Sequence, residues 1–90
     1  MSGFLFIKSF FVYAIVSQVD GRIYVGIATD PDHRLTEHNR GKTFSTKGYI
    51  PWKLFYREYC GSAEQARARE KYFKRASGKR RLKAILKNIE

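Results

Sequence analysis

The sequence predicts an α/β domain of the α+β type, in which a small three-stranded antiparallel sheet is flanked by helices. Three observations predict it. Two β-rich runs are separated by Asp20-Gly21, a third begins at Trp52, and the intervening and following segments carry helix caps or helical apolar spacing. Ninety residues suffice for a single domain over 1–90, and 43% hydrophobic residues, with seven Phe and six Tyr, supply one core.

Residues 10–17, Phe-Phe-Val-Tyr-Ala-Ile-Val-Ser, are aromatic and β-branched and read as a buried strand. Asp20-Gly21 is a turn signal, and the alternating run 22–28 completes a β-hairpin. Phe11, Tyr13 and Ile15 line one face of the first strand. In the second, Ile23, Val25 and Ile27 share one face and Tyr24, Gly26 and Ala28 the other. Asp30-Pro31 reads as an N-cap followed by Pro at the first helical position, with the helix running to about Asn39 or Arg40 and stopping at Gly41. Leu35 is its core contact, and Arg34 and His38, four apart, are neighbours on one face. Residues 41–51 lack periodicity and read as a loop. Trp52 to Tyr59 reads as the third strand, with Trp52, Leu54 and Tyr56 alternating against Lys53, Phe55 and Arg57. Ser62-Ala63-Glu64-Gln65 fits a capping box, opening a helix that reaches Arg75 or Ala76. Ser77-Gly78 breaks it, and a last helix from about Lys79 carries Leu82, Ile85, Leu86 and Ile89.

The formal net charge is +10, which favours a polyanionic partner such as nucleic acid or an anionic membrane. Residues 67–87 hold ten Lys and Arg against Glu70 alone, so a local excess of +9 lies in a quarter of the chain. The apolar start, Met1 to Phe11, is interrupted by Lys8 and is too short for a membrane span; it also lacks a signal-peptide cleavage pattern. Single Cys60 excludes an internal disulfide and a cysteine metal cluster and fits a reducing, cytoplasmic setting, where it reads as a buried structural thiol.

Glu70 breaks the pattern of its helix. Ala63, Ala66 and Phe73 mark the inward stripe, and Glu70 lies on it. An inward carboxylate needs a partner. Either it pairs with Arg34 as a structural salt bridge, or it holds a cation at the core edge.

Val12-Tyr13-Ala14 on the first strand and Ile23-Tyr24-Val25-Gly26 on the second resemble the paired signature of the GIY-YIG nuclease family. The resemblance continues through Arg34-Leu35, His38-Asn39, Gly41, Pro51-Trp52 and Ala66 with Glu70-Lys71, covering a core of about residues 10–83. It is nearest to the small single-domain bacterial members, related to the nuclease domain of the excision-repair incision subunit. Two departures stand out. The first motif reads Val-Tyr-Ala, and the Asn that several family nucleases place a dozen or so residues beyond the metal-binding Glu has no clear counterpart.

What the resemblance implies is a divalent-metal-dependent endonuclease acting on DNA phosphodiesters, in repair or processing. It implies a catalytic set of Tyr13, Tyr24, Arg34, His38 and Glu70, with Glu70 as the single protein ligand to Mg²⁺ or Mn²⁺ and Arg34 on the scissile phosphate. One carboxylate with retained waters suits Mg²⁺, and the planar guanidinium suits a phosphate. The general base is either Tyr24, whose reference pKa of about 10 a neighbouring cation must lower, or His38. Gly26 is expected to let backbone or substrate approach closely. Lys42 and Lys47 in the loop, with Arg69, Lys71, Lys74, Arg75, Lys79, Arg80 and Arg81, are the expected nucleic-acid contacts, which position without selecting sequence. The expected partners are DNA and either a partner protein or a second copy, with no membrane and no small-molecule cofactor. Two other functions fit the same residues: a binding module whose catalysis has lapsed, and an interaction or structural protein whose charge serves solubility.

Overall fold

The computed structural model describes residues 9–89, so Met1 to Lys8, the main part of the apolar start, lie outside the described residues. The chain runs β1 (Phe10–Ser17), β2 (Ile23–Ala28), α1 (Pro31–Asn39), a 3-10 turn at Lys47–Tyr49, β3 (Trp52–Gly61), α2 (Ala63–Phe73) and α3 (Ala76–Ile89). The sheet is antiparallel throughout in the order β2-β1-β3. β1 is therefore the central strand and is buried along Val12 to Ser17, which explains why its sequence is nearly continuous apolar rather than alternating.

Each face of β1 has its own core. Val12 and Ala14 pack with Val25 of β2, Phe73 of α2 and Leu82 of α3. Tyr13 and Ile15 pack on the other face with Trp52, Tyr24, Leu35 of α1 and Ile50. Cys60 is a free, half-buried thiol against the first cluster. Among the described residues no helix is long and apolar enough to cross a membrane.

The caps act as the sequence indicates. The Asp30 carboxylate accepts from the His33 amide at 3.1 Å at the head of α1. Ser62 and Gln65 close the capping box of α2.

Two expectations need correction. The first is the alternation of β3, which is broken between Leu54 and Tyr56: Ile15 faces Leu54 while Ala14 faces Tyr56, leaving Phe55 as the extra residue of a bulge. Tyr56 is thereby turned away from Trp52 and Leu54 and packs edge-on against Phe73, ring centroids 5.4 Å apart. The second concerns Ser77-Gly78, which does not interrupt the helix. The break falls earlier, after Phe73, and Ser77 and Gly78 lie in the first turn of α3. Gly78 is buried because α3 closes onto the end of α2 there. A Cβ at this position would collide with the Tyr72 carbonyl and lie 2.5 Å from the Phe73 Cα.

Candidate active site

The hairpin register sets the site. Tyr13 lies opposite Gly26 and Ile15 opposite Tyr24, so the two tyrosines are diagonal neighbours on one face of the sheet. The Tyr13 ring extends across Gly26, where a Cβ would come 2.7 Å from the phenolic oxygen and 2.8 Å from Cζ. The close approach that Gly26 permits here is that of the Tyr13 ring. The glycine is buried, and the side chain it admits is Tyr13.

α1 brings His38 under the same face. His38 is fully buried, with Nε2 2.8 Å from the Tyr13 hydroxyl and Nδ1 2.8 Å from Thr46 Oγ1. Thr46 Oγ1 in turn donates to the Thr43 carbonyl at 3.3 Å. Since the Thr46 proton is taken by that carbonyl, the consistent assignment has Tyr13 donating to Nε2 and Nδ1–H donating to Thr46. Burial, reinforced by the Arg34 charge, pushes the His38 pKa below its ordinary value and keeps the ring neutral. Burial likewise pushes the Tyr13 hydroxyl well up, so Tyr13 is a proton donor in this chain of bonds.

Arg34, one turn before His38, is half-exposed and donates to Glu37 at 2.8 Å. Its guanidinium interacts with both tyrosines, opposing the rise at Tyr13, and Glu37 holds it firmly cationic. Tyr24 packs its ring against His38 at 5.1 Å and Trp52 at 6.4 Å. Its hydroxyl has no hydrogen-bond partner among the described residues. Glu70, on α2, is half-buried and accepts from Lys74 at 3.1 Å; its charge reaches Tyr13 and raises that hydroxyl further. The structural alternative expected for Glu70 is not realised, because Arg34 pairs with Glu37 instead.

Of the two carboxylates about the site, Glu37 is bonded to Arg34, and Glu70 has a single flexible lysine as partner. Among the described residues no three His, Cys, Asp or Glu gather as a closed metal cage. A lone carboxylate does fit a hard cation that keeps most of its waters.

Of the basic residues expected to meet nucleic acid, Lys42, Lys47, Lys71, Lys74, Arg75, Lys79, Arg80 and Arg81 are exposed. Arg69 is not available in the same way. It forms a two-point pair with Glu58 of β3, at 2.6 and 3.0 Å, and lies 4.8 Å over the rings of Tyr72 and Phe73. In this structure Arg69 fastens α2 to the sheet.

Sequence reasoning missed Thr46 and the residues that hold it. Trp52 Nε1 donates to the Thr46 carbonyl at 2.8 Å, and the Asn39 side chain brackets the Trp52 backbone with bonds of 2.7 and 3.0 Å. A threonine in an aperiodic loop gives no local signal. Glu37, three residues from Arg34 on one helix, was within reach of the spacing rule.

Comparison with known proteins agrees with this fold. The GIY-YIG catalytic domain matches residues 9–83, and the chain belongs to the GIY-YIG nuclease family. It is similar to a UPF0213 protein of Desulfotalea psychrophila, 40% identical over 76 residues, spanning 81% of this chain and 67% of that one. It is also similar to a UPF0213 protein of Streptococcus agalactiae, 37% identical over 67 residues, spanning 73% and 76% of the two chains. A UPF0213 protein of Staphylococcus aureus is 37% identical over 78 residues, spanning 86% and 94%. No solved structure matches the chain.

Proposed function

We propose that the chain is a divalent-metal-dependent endonuclease that hydrolyses DNA phosphodiester bonds in the cytoplasm, in repair or processing of DNA. The observation that supports this is the buried Tyr13–His38 hydrogen bond, with the Tyr24 ring against His38 and the Arg34 and Glu70 charges both acting on the Tyr13 hydroxyl, in a chain of net charge +10.

Hydrolysis needs an activated water and positive charge facing the non-bridging oxygens as they gain charge. Arg34 is half-exposed with part of its fork free beyond Glu37, which suits a scissile phosphate. Tyr13 is itself buried, held protonated by burial and oriented by His38, and would act as a positioning residue behind that phosphate. Glu70 is the residue that would hold Mg²⁺ or Mn²⁺, exchanging Lys74 for the cation. When bound, the metal supplies charge against the phosphate and carries water. His38 has both ring nitrogens engaged and no exposure, so it acts as a positioning residue. Tyr24, with its hydroxyl unpartnered among the described residues, is left as the group that takes the proton from the attacking water.

The test is a nicking assay on labelled duplex, flap and junction DNA with and without Mn²⁺, comparing wild type with Glu70→Gln. Metal-dependent cutting that drops by about 10²-fold or more in the variant, the scale of losing a transition-state charge contact, is expected, with DNA binding retained. Salt-sensitive binding without any cutting by the wild type would identify a binding module instead. Neither binding nor cutting would leave an interaction protein.

A further inference from the structure

A groove of about 580 Å³ runs beside the site, between the turn end of β2 and the corner where α2 meets α3. Its composition is divided. Half-buried Ile23 of β2 gives its apolar surface, backed by the core residues Val25, Phe73 and Leu82. Lys74, Lys79 and Lys83 stand along the helical side, and Arg22 lies on the hairpin side beside its partner Asp20. Tyr24 belongs both to this groove and to the candidate active site, and Lys74 is the partner of Glu70, so the groove begins where the site ends.

Lys79 and Lys83 are one turn apart on α3, a like-charge spacing that disfavours the helix. Both are exposed, and neither is ion-paired among the described residues. Their placement over apolar side chains fits a ligand that is anionic along one edge and flat and apolar on another. An unpaired nucleotide has that form. A base inside a duplex does not, because its faces are covered by its neighbours, and the groove is too small for a duplex. Single-strand sites elsewhere combine the same two elements, a cationic track and an apolar or aromatic seat for the bases. The volume lies within the range of roughly 300–1,000 Å³ typical of small-ligand clefts, enough for a nucleotide or two.

We infer that this groove seats unpaired nucleotides of the strand being cut, bases toward the Ile23 side and phosphates on Lys79 and Lys83, so that the preferred substrate carries a single-stranded segment next to the scissile bond. The inference rests on the nuclease function proposed above.

The experiment measures binding in the absence of metal by fluorescence anisotropy. The probes are a blunt duplex, the same duplex with a short thymidine extension, and one whose extension is abasic. Wild type is expected to favour the thymidine extension over the blunt duplex about tenfold, the scale of one seated base, and to lose most of that gain with the abasic extension. The double variant Lys79→Glu, Lys83→Glu changes two exposed side chains, and its melting temperature verifies its fold. It is expected to bind blunt and extended duplex alike. Equal wild-type affinity for blunt and extended duplex, in a protein that binds and cuts DNA, would overturn the groove inference alone. So would an abasic extension that binds as well as the intact one, which would mean a phosphate track without a base seat, or a preference that survives the double variant. Binding of none of the three probes, with capture of an acidic peptide instead, would overturn the nuclease reading with it.

Discussion

Arg34 and Glu70 act on the same Tyr13 hydroxyl with opposite sign, yet they do not pair: Arg34 is bonded to Glu37 at 2.8 Å and Glu70 to Lys74 at 3.1 Å. The fold therefore does not depend on Glu70 for a buried ion pair. Its bond to Lys74 is an exposed i,i+4 contact of about 0.3–0.5 kcal/mol. Glu70→Gln is accordingly expected to melt within about 2 °C of wild type, given the usual conversion for a domain of this size. Calorimetry showing a fall of about 10 °C or more, the scale of a broken buried pair, would return Glu70 to a structural role.

The Tyr13 ring over Gly26 leads to a second prediction. A methyl at position 26 meets Cζ at 2.8 Å, on the strand paired with central β1. Gly26→Ala is expected to lose about 1–3 kcal/mol by overpacking, read as a lower urea midpoint. Tyr13→Phe keeps the ring and leaves His38 Nε2 without its donor, at a cost of about 1–3 kcal/mol for an orphaned buried group. A Gly26→Ala protein as stable as wild type would contradict the crossing.

The pH dependence follows from His38. Its pKa is depressed, first by burial and then by Arg34, from the ordinary 6.5. The unfolded chain takes up the proton first as pH falls, so the stability is fully present above about pH 6.5 and declines below it toward the depressed folded value. Glu58, held down chiefly by its bond to Arg69, adds a further loss only below the ordinary carboxylate range, about pH 4.3. Urea midpoints that stay flat from about pH 7.5 to 5.5, spanning the ordinary imidazole pKa, would rule out a buried neutral His38.

Arg69 and the α3 cations separate two roles for positive charge. Arg69→Ala is expected to lose about 2 kcal/mol of stability, the scale of charged hydrogen bonds, with the salt dependence of DNA binding unchanged. Replacing Lys79, Arg80 and Arg81 together by Ala is expected to do the reverse. Stability holds, and the slope of log K against log salt flattens by about one unit or more, since each lost phosphate contact accounts for roughly 0.9. An unchanged slope would reduce this run to a solvated face.

Most of this fold is legible in the sequence because its elements declare themselves locally. Asp30-Pro31 and Ser62 with Gln65 mark helix starts by short-range hydrogen bonding, and the two tyrosines fall on one face because strand period and turn position determine the register. What escaped was decided by partners on other elements. The Phe55 bulge answers to β1, and its effect on Tyr56 is invisible to alternation within β3. Gly78 looks like a helix breaker, although its smallness is required by Tyr72 and Phe73 across a corner. His38 reads as a surface neighbour of Arg34 until Tyr13 and Thr46 close over it.

The bonds around Thr46 make the loop after α1 a fitting with a fixed base and a replaceable tip. Its hydroxyl is tied to His38 and its carbonyl to the Trp52 indole, while Thr43 is held by the Thr46 hydroxyl. Between those anchors Phe44 is 87% exposed and Ser45 is exposed as well, so neither contributes to a core. Substitutions at 44 and 45 can therefore alter what the rim of the site touches without a thermal penalty. An inserted residue would instead displace Thr46, and through His38 the hydroxyl of Tyr13. A protein engineer thus has two side chains to vary here and a loop length to leave alone.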